Sequence, residues 1–260
     1  MVQAIFFDID GTLVSEKTKT YLESTKNALE KLRKKGILVF IATGRHVLEI
    51  EEEKLIEGLS FDGYVTLNGH YCYNEKEVIF EKHIDKEDIK SIVKQLETNP
   101  YPCLFVEKNK RYINFINQRV KDVQKAIYSS LPPVMDIKRA LENPIYQVIP
   151  YVDEEKAKVY PLSVIKHSKA TRWNPYAIDI LSDSVSKREG IEKVLEYYNI
   201  PLENTMAFGD GVNDIEMLEY VSIGVAMGNA REETKKVADY ITDDVDNDGI
   251  LKALEHFKLL

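Results

Sequence analysis

Cysteine is scarce in this 260-residue sequence, and long apolar runs are missing from it. Its two cysteines, Cys72 and Cys103, lack CxxC spacing, which indicates reduced structural thiols rather than a disulfide framework. No apolar stretch approaches the roughly 20 residues of a membrane-spanning helix, and the amino terminus does not resemble a signal peptide. We therefore expect a cytoplasmic protein with no membrane partner.

Excess positive charge is also absent, since the formal net charge is -8. A nucleic-acid partner is not expected, because phosphate backbones are bound by clustered Lys and Arg. No internal repeat or low-complexity stretch is present, and the five histidines lack metal-ligand spacing. With 44% hydrophobic residues, the chain can bury a substantial core in one large domain or two small ones.

The most informative segment is an apolar run that ends in two carboxylates. Ile5 to Phe7 precede Asp8, Asp10 and a turn at Gly11, a pattern typical of a buried strand in a parallel sheet. Ligands of such sheets bind beyond the carboxyl ends of the strands, so both carboxylates are expected to face a crevice. Two like charges this close need a cation or a shared proton, and Mg²⁺ is the natural candidate.

Strand and helix patterns alternate at both ends of the chain, which predicts an α/β fold with a doubly wound parallel sheet. The intervening residues 83–182 have an α+β texture, with a predicted helix at Gln118 to Ser130 followed by Pro132-Pro133. We expect a core formed by residues 1–82 and 183–260, with residues 83–182 inserted as an α+β cap domain.

Candidate chemical groups follow three predicted strands of the core, at Asp8, Thr43 and Asp210. If those strands are parallel neighbours, their ends meet at one edge of the sheet. Each motif alone has an ordinary explanation: Thr43 could cap a helix, and Lys187 could be a surface lysine. Their combination favours chemistry, because together they supply a nucleophile, an acid, metal ligands and phosphate donors.

Phosphoryl transfer needs these groups, because its catalysis is largely positioning and neutralisation of charge. Asp8 can attack phosphorus, while Asp10 can protonate the leaving oxygen and then deprotonate water. Lys187 offers a positive charge to the phosphoryl group. Hydrogen bonds would come from the Thr43 hydroxyl, the Gly44 amide and the Asn213 side chain.

Hard oxygen ligands for Mg²⁺ are available in the same motifs. Asp8, the backbone carbonyl of Asp10 and Asp210 would coordinate the ion, and Asp214 would hold a water molecule. The metal would also offset the repulsion between a carboxylate nucleophile and an anionic substrate.

Four segments together resemble the motifs of the haloacid dehalogenase (HAD) superfamily. They are Asp8-Ile9-Asp10-Gly11-Thr12-Leu13, Ala42-Thr43-Gly44-Arg45, the Lys187 site and Gly209-Asp210-Gly211-Val212-Asn213-Asp214. The tail around Ala226-Met227-Gly228-Asn229-Ala230 is similar to the Cof-type phosphatase branch. The long insertion between Thr43 and Lys187 resembles the cap placement of Cof-type sugar phosphatases, and also that of phosphomannomutases.

The resemblance implies a Rossmann-like core, Mg²⁺ as cofactor and a small phosphorylated metabolite as substrate, with hexose phosphates first. It implies an Asp8 aspartyl-phosphate and Asp10 as acid and base; dehalogenases and P-type ATPases lack the second aspartate. Arg45, His70 and Trp173 are candidates for substrate or cap contacts; the alternative for Arg45 is to brace the cap, and that for His70 and Trp173 is packing.

Two other functions are compatible with the same residues. A phosphomutase would return the phosphoryl group to a sugar and would need a bisphosphate activator, and a regulator would bind phosphorylated metabolites without turnover. Monomer and dimer are both open.

Overall fold

The computed structural model describes residues 1–127 and 129–260, which form two compact units. The core unit comprises Met1–Glu81 and Ser186–Leu260, and the inserted unit comprises Lys82–Val185. These bounds lie within three residues of those expected from the sequence.

The core unit is built on an eight-stranded sheet in which six strands are parallel. Numbered along the whole chain, its strands are β1 (Ala4–Phe7), β2 (Leu38–Ala42), β3 (Gly63–Thr66), β4 (Tyr71–Tyr73), β5 (Val78–Glu81), β11 (Thr205–Gly209), β12 (Ile223–Ala226) and β13 (Tyr240–Ile241). The spatial order is β13-β12-β11-β1-β2-β3-β4-β5. The predicted parallel α/β sheet is confirmed, while the antiparallel hairpin β4-β5 was not predicted.

Helices cover both faces of this sheet. They are α1 (Glu23–Lys34), α2 (Val47–Glu53), α7 (Lys187–Tyr198), α8 (Ile215–Tyr220), α9 (Glu232–Val237) and α10 (Gly249–His256). Alternate side chains of β1 point to opposite faces: Ile5 and Phe7 join a core with residues of α1 and α10, whereas Phe6 joins a core with residues of α7 and α8. Both faces of β1 are buried, which explains why every residue of this strand is apolar.

The inserted unit has its own antiparallel five-stranded sheet and its own apolar core. Its strands are β6 (Cys103–Glu107), β7 (Lys110–Ile113), β8 (Gln147–Pro150), β9 (Ser168–Asn174) and β10 (Ala177–Ser182), in the order β7-β6-β8-β10-β9. Its helices are α3 (Lys86–Thr98), α4 (Gln118–Ala126), α5 (Glu154–Val159) and α6 (Pro161–Val164). The helix predicted to reach Ser130 therefore ends at Ala126, and Tyr128 lies outside the described residues.

No helix among the described residues is both long enough and apolar enough to cross a bilayer.

A tight turn after β3 packs against the first residues of α7. Leu67, Asn68 and Gly69 all have positive φ, of 51°, 51° and 93°. A Cβ on Gly69 would lie 2.0 Å from the carbonyl oxygen of Ser186, and one on Gly190 would lie 2.7 Å from the Cα of Gly69. The two glycines therefore allow direct contact between the turn and the helix that carries Lys187.

Gly69→Ala should displace the amino-terminal end of α7. We expect about 1–3 kcal/mol of overpacking in addition to the backbone cost of a positive φ, together with reduced ligand binding at Lys187. Gly36→Ala is the matched control, since Gly36 has φ of +78° but open space around the added methyl group. Denaturant unfolding of the two variants measures the difference; equal destabilisation would show that the contact with Ser186 does not matter.

Candidate active site

Three neighbouring parallel strands deliver the predicted chemical groups to one edge of the core sheet. Strand β1 lies between β2 and β11, and Asp8, Thr43 and Asp210 each come directly after one of these strands. The predicted convergence of the strand ends is thus present in the core unit.

A buried lysine joins two of the predicted carboxylates. The ammonium Nζ of Lys187 donates to Asp8 Oδ1 at 2.7 Å and to Asp214 Oδ1 at 2.5 Å. Lys187 is the first residue of α7, which begins with a capping box between Ser186 and Glu189. Burial alone would lower the pKa of Lys187, but Asp214 and Asp8 raise it, so the side chain stays charged.

Asp214 also organises the loop that carries Asp210. Its second oxygen, Oδ2, accepts hydrogen bonds of 2.9 Å from the backbone amides of Asp210 and Gly211. Asp210 Oδ1 in turn accepts from the Thr12 hydroxyl at 3.1 Å. Asp214 thus binds Lys187 and the loop, and its predicted contact with a water molecule of the metal stays a prediction.

A glycine at the end of the first motif makes room for Asp210. Gly11 has φ of +74°, and a Cβ there would lie 2.3 Å from Asp210 Oδ2. Only glycine combines this backbone conformation with such a close approach of a carboxylate.

Three carboxylates, those of Asp8, Asp210 and Asp214, form a group that could hold a metal ion. One oxygen from each lies within 4.8 Å of the others, and all three are hard ligands of the kind that Mg²⁺ prefers. Burial raises the pKa of Asp8 well above its usual range, against the opposing effect of Lys187. Burial and then Asp214 raise the pKa of Asp210 to about 7. One ammonium thus stands against two buried carboxyl groups and a third, that of Asp210, which is half-buried, and a divalent cation would supply the missing positive charge.

Two of the predicted phosphate donors, Gly44 and Asn213, lie beside the side chain of Asn68, which was not among the predicted site residues. Asn213 Nδ2 donates to Asn68 Oδ1 at 3.2 Å, and a Cβ on Gly44 would lie 3.2 Å from the Asn68 amide. Thr43 Oγ1 accepts from the backbone amide of Arg45 at 3.1 Å. The only sequence signal for Asn68 was its place beside Gly69 at the end of β3.

The three residues predicted to contact the substrate or the cap, Arg45, His70 and Trp173, each contact another group of the protein. Arg45 contacts the Asp10 carboxylate instead of standing free. His70 is fully buried in the core unit, with Nδ1 2.8 Å from the Leu67 carbonyl oxygen. Trp173, in the inserted unit, is partly exposed and its Nε1 donates to Asp179 at 2.7 Å. Their contacts with a substrate stay predictions.

Comparison with known proteins identifies the family. The family model of haloacid dehalogenase-like hydrolases matches residues 5–254. The chain belongs to the haloacid dehalogenase-like hydrolases. The resemblance of the four motifs to the HAD superfamily is therefore confirmed.

Relatives and solved structures agree with this HAD assignment. The chain is 32% identical to YkrA of Bacillus subtilis, over 98% of both chains. It is similar to a HAD subclass IIB sugar phosphatase of known structure, with 38% identity, a TM-score of 0.84 and complete coverage of both chains. The 5-amino-6-(5-phospho-D-ribitylamino)uracil phosphatase YcsE of Bacillus subtilis is 28% identical, over 99% of this chain and 96% of its own length. The protein is an enzyme, a phosphatase of the HAD type.

Lys187→Ala should destabilise this HAD enzyme in buffer without divalent cations. The change leaves two buried carboxylates without their counter-charge, which costs about 3–5 kcal/mol. Lys193→Ala is the matched control on the same helix, because Lys193 forms an exposed pair with Glu196 and its loss should change stability little. Urea unfolding of both variants tests this; equal midpoints would show that Lys187 does not compensate Asp8 and Asp214.

Proposed function

We propose that this protein is a Mg²⁺-dependent phosphomonoester hydrolase that acts on small phosphorylated metabolites, hexose phosphates first, through an aspartyl-phosphate on Asp8. The observation that carries the proposal is the bridge from Lys187 to Asp8 and Asp214. It joins groups from distant motifs into a single buried site with a nucleophile and positive charge, as phosphoryl transfer requires.

In the proposed reaction, an Asp8 oxygen attacks phosphorus while the bond from phosphorus to the alcohol oxygen breaks. The alcohol leaves with a proton from Asp10. Asp10 then takes a proton from water, whose oxygen attacks the aspartyl-phosphate, and inorganic phosphate and the free Asp8 carboxylate are released. Lys187 would neutralise charge on the phosphoryl oxygens, with Thr43, Gly44 and Asn213 as hydrogen-bond donors beside it.

Mg²⁺ would be held by Asp8, Asp210 and the backbone carbonyl of Asp10, with Asp214 beside them. When bound, it would offset the negative charge shared by the carboxylates and the phosphoryl group. The close approach of the Asp8, Asp210 and Asp214 oxygens supports this assignment.

The substrate class rests on similarity to the subclass IIB sugar phosphatase. The name of the relative YcsE gives 5-amino-6-(5-phospho-D-ribitylamino)uracil as its substrate, so a compound with a phosphorylated ribityl chain belongs beside the hexose phosphates in a substrate screen. We propose that residues 82–185, the inserted unit, act as the cap that selects the alcohol part of the substrate. We also propose a cytoplasmic location, which suits the two buried free thiols, Cys72 and Cys103.

Asp8→Asn should abolish turnover and leave the fold intact, because an amide oxygen is a poor nucleophile. Phosphate release should be measured with Mg²⁺ over hexose phosphates, a ribityl phosphate, nucleotides, flavin mononucleotide and pyridoxal phosphate. Wild type should be most active on the sugar phosphates, and acid quenching should trap protein-bound phosphate.

Asp122→Asn, an exposed change on α4, is the control and should retain full activity. Hydrolysis at the wild-type rate by Asp8→Asn would refute the nucleophile, and a wild type inactive on sugar phosphates would refute the substrate class.

Asp210→Asn should weaken Mg²⁺ binding without destabilising the metal-free protein. Removing this charge should leave the metal-free melting temperature unchanged or higher, because the cost of burying the Asp210 carboxylate is relieved, as is its repulsion with Asp214. Wild type should gain about 2.7 kcal/mol of stability at a Mg²⁺ concentration 100-fold above its Kd, and the variant should gain much less.

Calorimetric melting with and without Mg²⁺ measures this difference. Asp246→Asn removes the same charge from a partly exposed pair with Lys17, outside the group of three carboxylates, and should retain the whole Mg²⁺ effect. An equal Mg²⁺ effect in Asp210→Asn would place the ion elsewhere.

A further inference from the structure

Arg45 contacts two different carboxylates with three of its nitrogen atoms. Nε donates to Asp10 Oδ2 at 2.6 Å and Nη2 donates to Asp10 Oδ1 at 2.8 Å. The third nitrogen, Nη1, donates to Glu53 Oε2 at 2.8 Å. The Arg45 side chain is 18% exposed, as is that of Glu53, whereas Asp10 is 36% exposed. Glu53 thus lies behind Arg45, and Asp10 is the most accessible of the three.

The two bonds to Asp10 fix the plane of its carboxylate as well as its position. Planar, two-point pairs between arginine and a carboxylate are among the strongest and most directional hydrogen-bonded pairs in proteins. Burial alone would lower the pKa of Arg45, but Asp10 and Glu53 raise it, so the guanidinium is a permanent cation.

Glu53 is held in place by both ends of the short helix α2. At its start, His46 Nδ1 accepts from the Leu48 amide at 3.1 Å and Glu49 Oε2 accepts from the His46 amide at 3.0 Å. At its end, Lys54 takes a left-handed conformation directly after Glu53. Arg45 therefore lies just before the N-cap of α2 and Glu53 is the last residue of this helix. Because both ends of α2 are fixed, the helix brings the two side chains together.

A proton on Asp10 would remove the negative charge from its pair with Arg45. The proposed reaction puts a proton on Asp10 once in each cycle and takes it off again, so the pair is weakened and restored in every turnover. Arg45 would keep its bond to Glu53 throughout. Glu53 can thus hold the guanidinium beside Asp10 while Asp10 changes its protonation state.

We propose that Glu53 is a positioning residue that acts through Arg45 to keep the Asp10 carboxyl group aligned for proton transfer to the leaving alcohol. The inference rests on the proposed function and deepens it. Misplacement of a catalytic group by about 1 Å can cost around 100-fold in rate, so a remote residue of this kind can affect turnover strongly.

The test compares two substrates that differ in their need for a proton. A hexose 6-phosphate releases an alkoxide that must be protonated, whereas p-nitrophenyl phosphate releases a phenolate that is stable as an anion. The quantity to compare is kcat/KM, because it reports only the steps up to release of the alcohol. Glu53→Ala should lower kcat/KM for the hexose phosphate by about 10- to 100-fold and that for p-nitrophenyl phosphate by less than about 3-fold.

Three further variants test whether Glu53 acts through Arg45. Glu53→Gln retains an oxygen that can accept from Arg45, so it should recover most of the hexose phosphate activity. Glu51→Ala removes an exposed glutamate from the same helix and should behave as wild type. The double variant Arg45→Lys with Glu53→Ala should lose no more than Arg45→Lys alone, because both changes interrupt one path.

Equal losses on both substrates, no loss at all, or additive losses in the double variant would overturn the inference. Melting temperatures of all variants show whether each is folded; if Glu53→Ala is not, Glu53→Leu, which keeps the bulk of the side chain but cannot accept from Arg45, carries the test. A wild type that hydrolyses neither substrate would instead refute the proposed function, so the two failures are distinguishable.

Discussion

The buried ammonium of Lys187 is the interaction on which the rest of the site depends. It lies between Asp8, at the end of the first strand, and Asp214, at the start of a late helix, and both carboxylates are buried with it. Removing two carboxylates from water is costly unless an opposite charge is in direct contact. The position of α7, which begins at Lys187, is therefore tied to the position of the nucleophile.

Glycines allow the close approaches between the elements of this site. Gly11 lets the Asp210 carboxylate approach the first motif, and Gly69 with Gly190 lets α7 approach the turn after β3. Each glycine removes a Cβ where backbone or carboxylate atoms need the space. The negative charge collected by these close approaches exceeds what Lys187 can offset, and a divalent cation would supply the positive charge that an anionic substrate also needs.

The parallel sheet and the meeting of Asp8, Thr43 and Asp210 could be predicted because they follow from strand order and chain direction. Lys187 was selected only as one part of a motif set, since nothing in its local sequence indicates burial. The contacts of Arg45 could not be predicted, because they depend on where α2 ends and on the rotamer of a long side chain. The hairpin β4-β5 was missed for a similar reason: its strands are short and lie at the sheet edge.

The central claim is that one divalent ion and one phosphoryl group share the site formed by Asp8, Lys187 and Asp210. The most direct measurement is a crystal structure grown with Mg²⁺ and beryllofluoride, a mimic of a phosphoryl group bonded to a carboxylate. The account predicts beryllium attached to an Asp8 oxygen, Mg²⁺ on the oxygens of Asp8 and Asp210, and Lys187 against the fluorides. A Mg²⁺ ion bound away from Asp210, or an adduct on any other carboxylate, would contradict it.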